Sequence, residues 1–474
     1  MMDNEHNDSR LRVRDLLRAD LARMYLAKNS GKSGGAAAAI YKLGEKVEKL
    51  SKYRTRIVAC PPLPLLWAFK PGDGSSSSII HKAYLREVWR ERGPFARARL
   101  LLALLFVWPL VNLVTVIWFT CLNGMTVKRQ TGKGILRQVA EQIRFSSSDA
   151  VLPPWYYMFR LYEDRHHRDI PAYLHRFETK GGIYRMLKPH FRKRASTNLG
   201  VLFNNKAAFA AHCFQQGLTA VPLLALAEEG QVTWKIAEEQ LPAKDLFLKP
   251  KEARGGQGAE RWDYQESNSY KNTRTGEVRS GTELTEHVKE LSKQQSYLVQ
   301  PRLRNHPDLI DLSNGALLTC RIVTIEGQEG RPVATDAVLR MAIGGNTLVD
   351  NLHAGGISAP IDMETGELGK ATDVGAMVGR GWLDRHPDNG AQIAGRRVPF
   401  WRETLSLVER AHATLNGQLI VGWDVPVLAE GPCLVEANSS PDLDIMQIIE
   451  NKPLGNERVG RLLAFQVRRY RDLG

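Results

Sequence analysis

The apolar and charged positions divide the chain before any motif is considered. Residues 100–127 form a run of 28 positions without a charge, more than the roughly 20 that carry a helix across a hydrocarbon core. The run is long, begins near residue 100 and has no small-residue cleavage pattern, so it is not a secretory signal. Arg90, Arg92, Arg97 and Arg99 precede it, and Lys128, Arg129, Lys133 and Arg137 follow it. Lys and Arg hold a flank on the cytoplasmic side, so neither end stands out as the external one. Pro109 and Asn112 near the centre favour a break. The expectation is a membrane segment, 99–127, that bends at Pro109 and returns to the cytoplasmic face; a single crossing and a buried core helix are the alternatives. Upstream, Val13, Leu16, Leu17, Leu21 and Met24 recur at helical spacing among Arg10, Arg14, Arg18 and Arg23. That pattern suits a basic helix lying on a membrane surface, or one packed on its own domain. Residues 31–35 and 71–78 read as flexible joints.

After residue 200 the pattern changes to short apolar strands separated by turns. Residues 205–216 (NKAAFAAHCFQQ) read as an alanine-rich helix led by Lys206. Residues 245–249 (DLFLK) read as a strand ending on Lys249 and running through Pro250 into the loop ARGGQG. Gly255, Gly256 and Gly258 would let that loop bring its N–H groups close to a polyphosphate, with Lys249 as a fixed positive charge beside it. A hairpin turn has the same composition. Residues 297–301 (YLVQP) form a strand whose backbone, over Tyr297, Val299 and Gln300, can pair with a purine edge or simply be buried.

The segment 422–442 (GWDVPVLAEGPCLVEANSSPD) predicts two strands, 419–428 and 433–437, joined by a turn at 429–432. Glu436 and Asn438 lie two apart and share one face, with Asp424 on the neighbouring strand. Two carboxylates and an amide oxygen are hard ligands that suit Mg2+ holding ATP phosphates; a charged pair on the wet face of a hairpin is the competing reading. Apolar neighbours around Glu436 predict that this carboxylate is inside and compensated. Residues 317–325 and 337–343 each place one arginine, Arg321 and Arg340, among apolar neighbours. One such arginine is ordinarily an edge residue, but two on successive strands can hold a transferring phosphoryl group. His353, beside two glycines, reads as a general base or a plain hydrogen-bond donor, and His166 and His167 read as surface.

Charge and composition narrow the function class. The net charge is +14, but residues 1–98 carry +9, residues 99–200 carry +10 and residues 201–474 carry −5. The basic half has no aromatic-rich strand pair and the rest is mildly acidic, so nucleic acid is not an expected partner. Five cysteines, odd in number and without a CxxC pair, argue against a disulfide framework and a cysteine zinc site.

In this order the motifs resemble the ATP-grasp superfamily across roughly residues 204–444, and within it the alpha-L-glutamate ligases and the sugar-transfer-associated relatives. Lys206 and Lys249 resemble its phosphate-contacting lysines, Gly255 to Gly258 its phosphate loop, and Tyr297 to Gln300 its adenine hinge. Arg321, Arg340 and the stretch NLHAGG with Asn351 and His353 look like the glutamate-ligase catalytic pattern, and Asp424, Glu436 and Asn438 its magnesium ligands. Two positions depart from that pattern: Val349 stands where an arginine is usual, and Asp442 where a glycine is. The resemblance implies an α+β ATP-grasp fold of two lobes over 201–474. Ahead of it stand a basic N-terminal region, 1–98, partly helical with linkers, the apolar segment and a basic helical accessory region, 128–200. It implies ATP with Mg2+, two ions replaceable by Mn2+, and a ligase that joins a carboxylate to an amine through an acyl phosphate. The apolar segment and the sugar-transfer likeness point to a glycan or lipid-linked substrate at the cytoplasmic membrane surface. A protein acceptor and a non-catalytic, ATP-binding membrane scaffold are the rivals.

Overall fold

The computed structural model describes residues 62–195, 198–252, 258–344, 355–374, 378–379 and 381–472. The basic helix expected near residue 20, the joint at 31–35, Gly255, Gly256, Asn351 and His353 lie outside the described residues.

The smaller lobe is built on a seven-stranded antiparallel sheet. Its strands are β1 (Ala225–Glu228), β2 (Gln231–Trp234), β3 (Leu246–Pro250), β4 (Glu260–Gln265), β5 (Ser269–Asn272), β6 (Val278–Ser280) and β7 (Tyr297–Pro301), in the order β2-β1-β7-β3-β4-β5-β6. Strand alternation sends Leu246 and Leu248 of β3 and Tyr297 and Val299 of β7 to one face, where they pack with Leu284 and Val288 of the helix Gly281–Ser292. Phe247 and Lys249 therefore occupy the opposite face, in register with Gln300 and Leu298 of β7.

The larger lobe holds β8 (Thr319–Glu326), β9 (Pro332–Met341), β10 (Ile357–Pro360), β11 (Thr372–Asp373) and β12 (Ile420–Val425). A small hairpin of β13 (Val427–Leu428) and β14 (Gly431–Pro432) leads to β15 (Glu436–Asn438), and the six-stranded sheet runs β11-β10-β9-β8-β12-β15. One face packs Ile322, Leu339, Val421 and Trp423 against Leu407, Val408 and Ala411 of the helix Trp401–Thr414. Behind β12, a chain of hydrogen bonds fixes strand and helix together. Trp423 Nε1 donates to Thr324 Oγ1 at 2.8 Å, His412 Nδ1 lies 2.7 Å from that hydroxyl, and His412 Nε2 lies 3.0 Å from the Gln418 carbonyl.

The opposite face of this sheet carries Val323, Ile325 and Val338, and it is covered by the helical N-terminal region together with the last helices, Leu443–Glu450 and Arg458–Asp472. The helix Ser76–Arg90 and the aromatic run Trp155 to Tyr162 belong to this same core. The N-terminal region and the end of the chain thus share one hydrophobic core.

The apolar segment does not turn back at Pro109. It lies within one helix, Pro94–Thr131. A wide π turn at Ala103–Val107 sits just ahead of the proline, which absorbs the missing N–H and the ring's bulk without ending the helix. Nor is it a core helix, because only 11% of its most apolar window is buried. Its inner side packs on the helix Ile135–Ser148 through polar contacts: Asn112 Nδ2 donates to Ser146 Oγ at 2.7 Å, and Gln142 Nε2 donates to Thr120 Oγ1 at 2.8 Å.

His166 and His167 are not surface residues. His166 is 7% exposed, and His167 points its ring inward to the Leu161 carbonyl at 2.8 Å, because the 3-10 segment Asp164–Ala172 turns this charged stretch against the core.

Candidate active site

Cross-strand register assembles most of the site. On β8, β12 and β15 the residues Arg321, Asp424 and Glu436 stand directly opposite one another, and Asn438 stands opposite Gly422. Arg340 on β9 pairs with Thr319, two residues from Arg321, so all five side chains project from one face of the larger sheet. Gly422 is what lets them crowd: a Cβ there would meet the Pro441 Cβ at 2.9 Å.

Asp424 is the centre of this row. It is 7% exposed, and it accepts from Arg321 through both Nε and Nη2, the latter at 3.1 Å, and from Arg340 Nη2 at 3.0 Å. Burial alone would raise its pKa, but the two guanidiniums hold the carboxyl below the usual range. Arg340 is itself oriented by Thr319, whose Oγ1 accepts from its Nε at 3.0 Å. Glu436 differs from what its apolar neighbours in sequence predict. It is half-buried and makes no ion pair among the described residues; Val435 and Ala437 do not enclose it, because alternation sends Ala437 to the opposite face and into the Trp423 core. The buried, compensated carboxylate is Asp424.

Two lysines form the second set, Lys206 on a helix that packs in the larger lobe's core through Phe209 and Cys213, and Lys249 on the smaller sheet. Asn205 caps the helix Lys206–Gln215 by accepting from the N–H groups of Ala207 and Ala208 at 3.0 and 3.1 Å, which fixes Lys206 on the first turn. The Lys206 ammonium donates to the Lys251 carbonyl at 3.5 Å. On β3, burial first and Lys206 second push the pKa of Lys249 down to about 8, while Glu436 acts in the opposite direction. Lys206, Lys249 and Glu436 therefore share one neighbourhood where the lobes face each other. The chain leading from the helix Lys206–Gln215 toward β1 is held on the larger lobe: Val221 N–H donates to the Leu434 carbonyl at 3.2 Å, and Leu434 N–H to the Thr219 carbonyl at 2.9 Å.

The expected purine-pairing strand is present, but its residues are engaged differently from one another. Val299 points into the small-lobe core and its carbonyl accepts from Leu224 N–H at 2.9 Å. The Tyr297 hydroxyl donates to the Gly258 carbonyl at 3.2 Å and so tethers the exit of the glycine loop. Gly258 itself takes φ +71°, and a Cβ there would meet Pro250 at 3.0 Å and the Tyr297 hydroxyl at 3.1 Å, a place only glycine fills without strain. Gln300 lies on the Lys249 face of the sheet.

The donor set suits a hard cation. Asp424, Glu436 and Asn438 present oxygen ligands on one face, and the Asn438 amide has a buried polar atom, Nδ2, with no hydrogen-bond partner. Turning that amide would bring its oxygen to a cation and relieve the orphaned atom. Full coordination by Asp424 requires at least one arginine to swing away. Among the described residues, Glu141, Asp164 and His167 also stand close enough to hold an ion. There, however, Lys133 Nζ lies 2.8 Å from Glu141 and 2.7 Å from Asp164 and already supplies the positive charge.

Sequence reasoning missed the cations beside Asp442. Arg176 and Lys180, from the helical region before residue 200, each place a nitrogen 3.3 Å from Asp442 Oδ1, and the Tyr184 hydroxyl donates to the Pro441 carbonyl at 3.5 Å. The signal was Asp442 itself: an acid stands where the resemblance expects glycine, and a half-buried carboxylate calls for cations beside it.

Solved structures match parts of this chain at low identity. An L-amino acid ligase from Bacillus licheniformis is 11% identical over 56% of this chain and 48% of its own, with a TM-score of 0.32. The N5-carboxyaminoimidazole synthase of Aspergillus clavatus is 12% identical over 55% of this chain and 54% of its own, at 0.30. The D-alanine–D-alanine ligase of Bacillus anthracis is 9% identical over 58% of this chain and 69% of its own, at 0.32. The chain thus spans about half the length of the first two. No protein of curated function matches it in sequence. The sugar-transfer associated ATP-grasp profile matches residues 187–461, more than half of the chain and every described residue of the site except Arg176 and the neighbouring Lys180 and Tyr184, and the chain belongs to that family.

Proposed function

We propose that the protein is an ATP-dependent ligase that activates a carboxylate as an acyl phosphate and joins it to an amine, on a glycan or lipid-linked substrate at the cytoplasmic face of a membrane. The observation that carries this reading is the row Arg321, Asp424, Glu436 with Asn438 and Arg340 on one sheet face, within electrostatic reach of Lys249 across the cleft.

ATP-grasp enzymes use ATP and Mg2+. Here Lys206 and Lys249, with the loop of Gly255, Gly256 and Gly258, would bind the polyphosphate, and the stretch from Tyr297 to Gln300 would border the base. Asp424, Glu436 and Asn438 would hold Mg2+, which when bound neutralises the phosphates and stabilises charge on the transferring group. Arg321 and Arg340 then have two tasks. Before loading they keep Asp424 ionised; after loading, a guanidinium that leaves Asp424 is free to hold the acyl phosphate and the oxyanion formed when the amine attacks. Asn351 and His353 complete the substrate side in this reading, His353 as donor or base. Arg176 and Lys180, paired with Asp442, would be available to an acidic group on the substrate.

Hydroxylamine trapping tests the reaction class. With ATP, Mg2+ and membrane extract, the expected result is a hydroxamate formed in step with ADP. ADP released at the same rate with no hydroxamate and no product carrying the mass of an added amine would overturn it. The scaffold alternative draws on the arginine-closed state of Asp424, and it predicts ATP binding with no ADP release under any acceptor.

A further inference from the structure

The helix Pro94–Thr131 is fastened to the same body at both ends of its apolar run. At its start, the helix Ser76–Arg90 lies in the core shared with the final helix, Arg185 Nη2 pairs with Glu91 at 2.8 Å, and Arg97 Nε donates to the Trp89 carbonyl at 3.0 Å. Further along, Asn112 is bonded to Ser146, and the Asn123 Oδ1 accepts from Val378 N–H at 2.6 Å, on the chain following β11. Leu100, Trp108, Val116, Phe119 and Val127 face the body between these points. From Arg97 to Asn123 the helix covers about 40 Å at 1.5 Å per residue, more than the thickness of a hydrocarbon core. A single crossing would put the two fastenings on opposite sides of the bilayer, and one folded body cannot occupy both.

The outer side is apolar throughout. Leu105 is 64% exposed, Phe106 68%, Leu110 67%, Val114 67% and Ile117 52%. Exposed basic residues bracket this face, Arg99 at one end and Lys128 and Arg129 at the other. Apolar in the middle and cationic at both ends is the complement of a leaflet with anionic headgroups, and an aqueous protein partner would not match both features.

We infer that this helix lies in the plane of one leaflet along its whole length, neither crossing the bilayer nor re-entering it, with the catalytic body on the same side as both of its ends. The inference rests on the proposed membrane association and is independent of the ligase chemistry. Its consequence is that the site and the headgroup of a lipid-linked substrate stay on one side throughout turnover.

The experiment uses the full chain with sealed vesicles of phosphatidylcholine and phosphatidylglycerol. Single added cysteines replace Leu105, Leu110, Val114 and Ile117 in a background with Cys60→Ser and Cys121→Ser, the other three cysteines being buried, and each carries an environment-sensitive dye for depth quenching. In-plane seating predicts closely similar shallow depths at all four, with a cysteine replacing Asp73 and one replacing Asp388 both labelled by an impermeant maleimide from outside. Depths that increase steadily along the helix, or Asp73 and Asp388 positions labelled from opposite sides, would overturn the inference while leaving membrane binding intact. A maximum depth at Leu110 with both positions on one side would restore the re-entrant form. Absence of vesicle binding with a stable dimer in light scattering would replace the leaflet by a second copy as the occupant. The double variant Leu105→Glu with Val114→Glu, on exposed positions, is expected to lose vesicle binding at least tenfold while keeping its circular dichroism and its basal ADP release.

Discussion

On β8 and β9 the guanidiniums of Arg321 and Arg340 close on Asp424, a carboxylate of their own lobe, whereas on β3 the Lys249 ammonium faces Lys206 and has no hydrogen-bonding carboxylate among the described residues. The smaller lobe pairs other cations of its own, Lys251 with Glu228 at 2.8 Å and Arg302 with Asp263 at 2.5 Å, so the contrast is confined to Lys249. At Lys249, burial and the neighbouring Lys206 both work against the ammonium, a state that costs free energy until a polyanion arrives. The larger lobe is therefore built to stand alone and to exchange partners on loading, and the smaller to be completed by its ligand.

The largest effect expected from this contrast is catalytic. Glu436→Gln removes a carboxylate that makes no ion pair among the described residues and only opposes the burial of Lys249, so its loss is felt mainly with nucleotide bound. Turnover should fall about a thousandfold, or roughly 4 kcal/mol of transition-state stabilisation, with melting temperature within a degree or two of the parent. Equal ADP release by the variant would remove Glu436 from the site.

Asp424→Asn should do what Glu436→Gln does not, and destabilise the fold. It leaves two mostly buried arginines facing a neutral amide, and the expected loss is about 3 to 4 kcal/mol, at the lower end for a broken buried pair because the arginines keep some solvent. Chemical denaturation of the two variants side by side measures this. Equal stability would mean that the arginines have other anions to turn to.

A third effect belongs to the larger lobe alone. His412 is fully enclosed behind β12 and burial pushes its pKa down to about 4, against 6.5 when unfolded. Above pH 6.5 the imidazole is neutral in both states and its contribution is intact. As pH falls from 6.5 toward 4 the unfolded chain takes up a proton that the folded one refuses, and stability declines by on the order of 3 kcal/mol. Denaturation curves of the parent and of His412→Gln should converge across this window. A constant gap would show that the imidazole is not what titrates.

The sequence disclosed the two lobes unevenly, for reasons visible in particular residues. The shared face of Glu436 and Asn438 was legible because a two-residue alternation fixes faces, but their register with Asp424 was not, since the pairing slips by one residue between the hairpin Val427–Pro432 and the pair Asp424–Glu436. The pairing of Asp424 with Arg321 and Arg340 was not legible, because it depends on β8 lying beside β12, a contact between residues about a hundred positions apart. The assignment of burial to Glu436 failed for a related reason, since apolar neighbours in sequence describe the other face of a strand. The placement of Arg176 and Lys180 beside Asp442 was hidden because the basic region before residue 200 gives no sign, position by position, of which cations have half-buried partners. The path of the long helix was misjudged at Pro109, where a π turn accommodated what the composition alone suggested would be a break.

The smallest effect is the one that tests the smaller lobe most directly. With its pKa at about 8, Lys249 is mostly protonated at pH 7 and increasingly neutral above pH 8. A bound triphosphate brings negative charge beside the ammonium and raises that pKa toward the ordinary lysine range of about 10.4. Between these values the protonated form binds and the free form is neutral, so nucleotide affinity should weaken with rising pH, by at most about tenfold, or 1.4 kcal/mol, per unit. Binding measured by calorimetry near pH 9 should be accompanied by uptake of close to one proton, read from its dependence on the ionisation enthalpy of the buffer. Lys249→Met should abolish that uptake and flatten the profile while lowering affinity at pH 7. Because the substitution also removes a charge that burial and Lys206 both disfavour, the unliganded variant should be at least as stable as the parent, the opposite sign to Asp424→Asn. If the two variants were instead destabilised alike, the lysine would already be compensated in the empty lobe, and the contrast between the two halves of the site would fail at its weaker side.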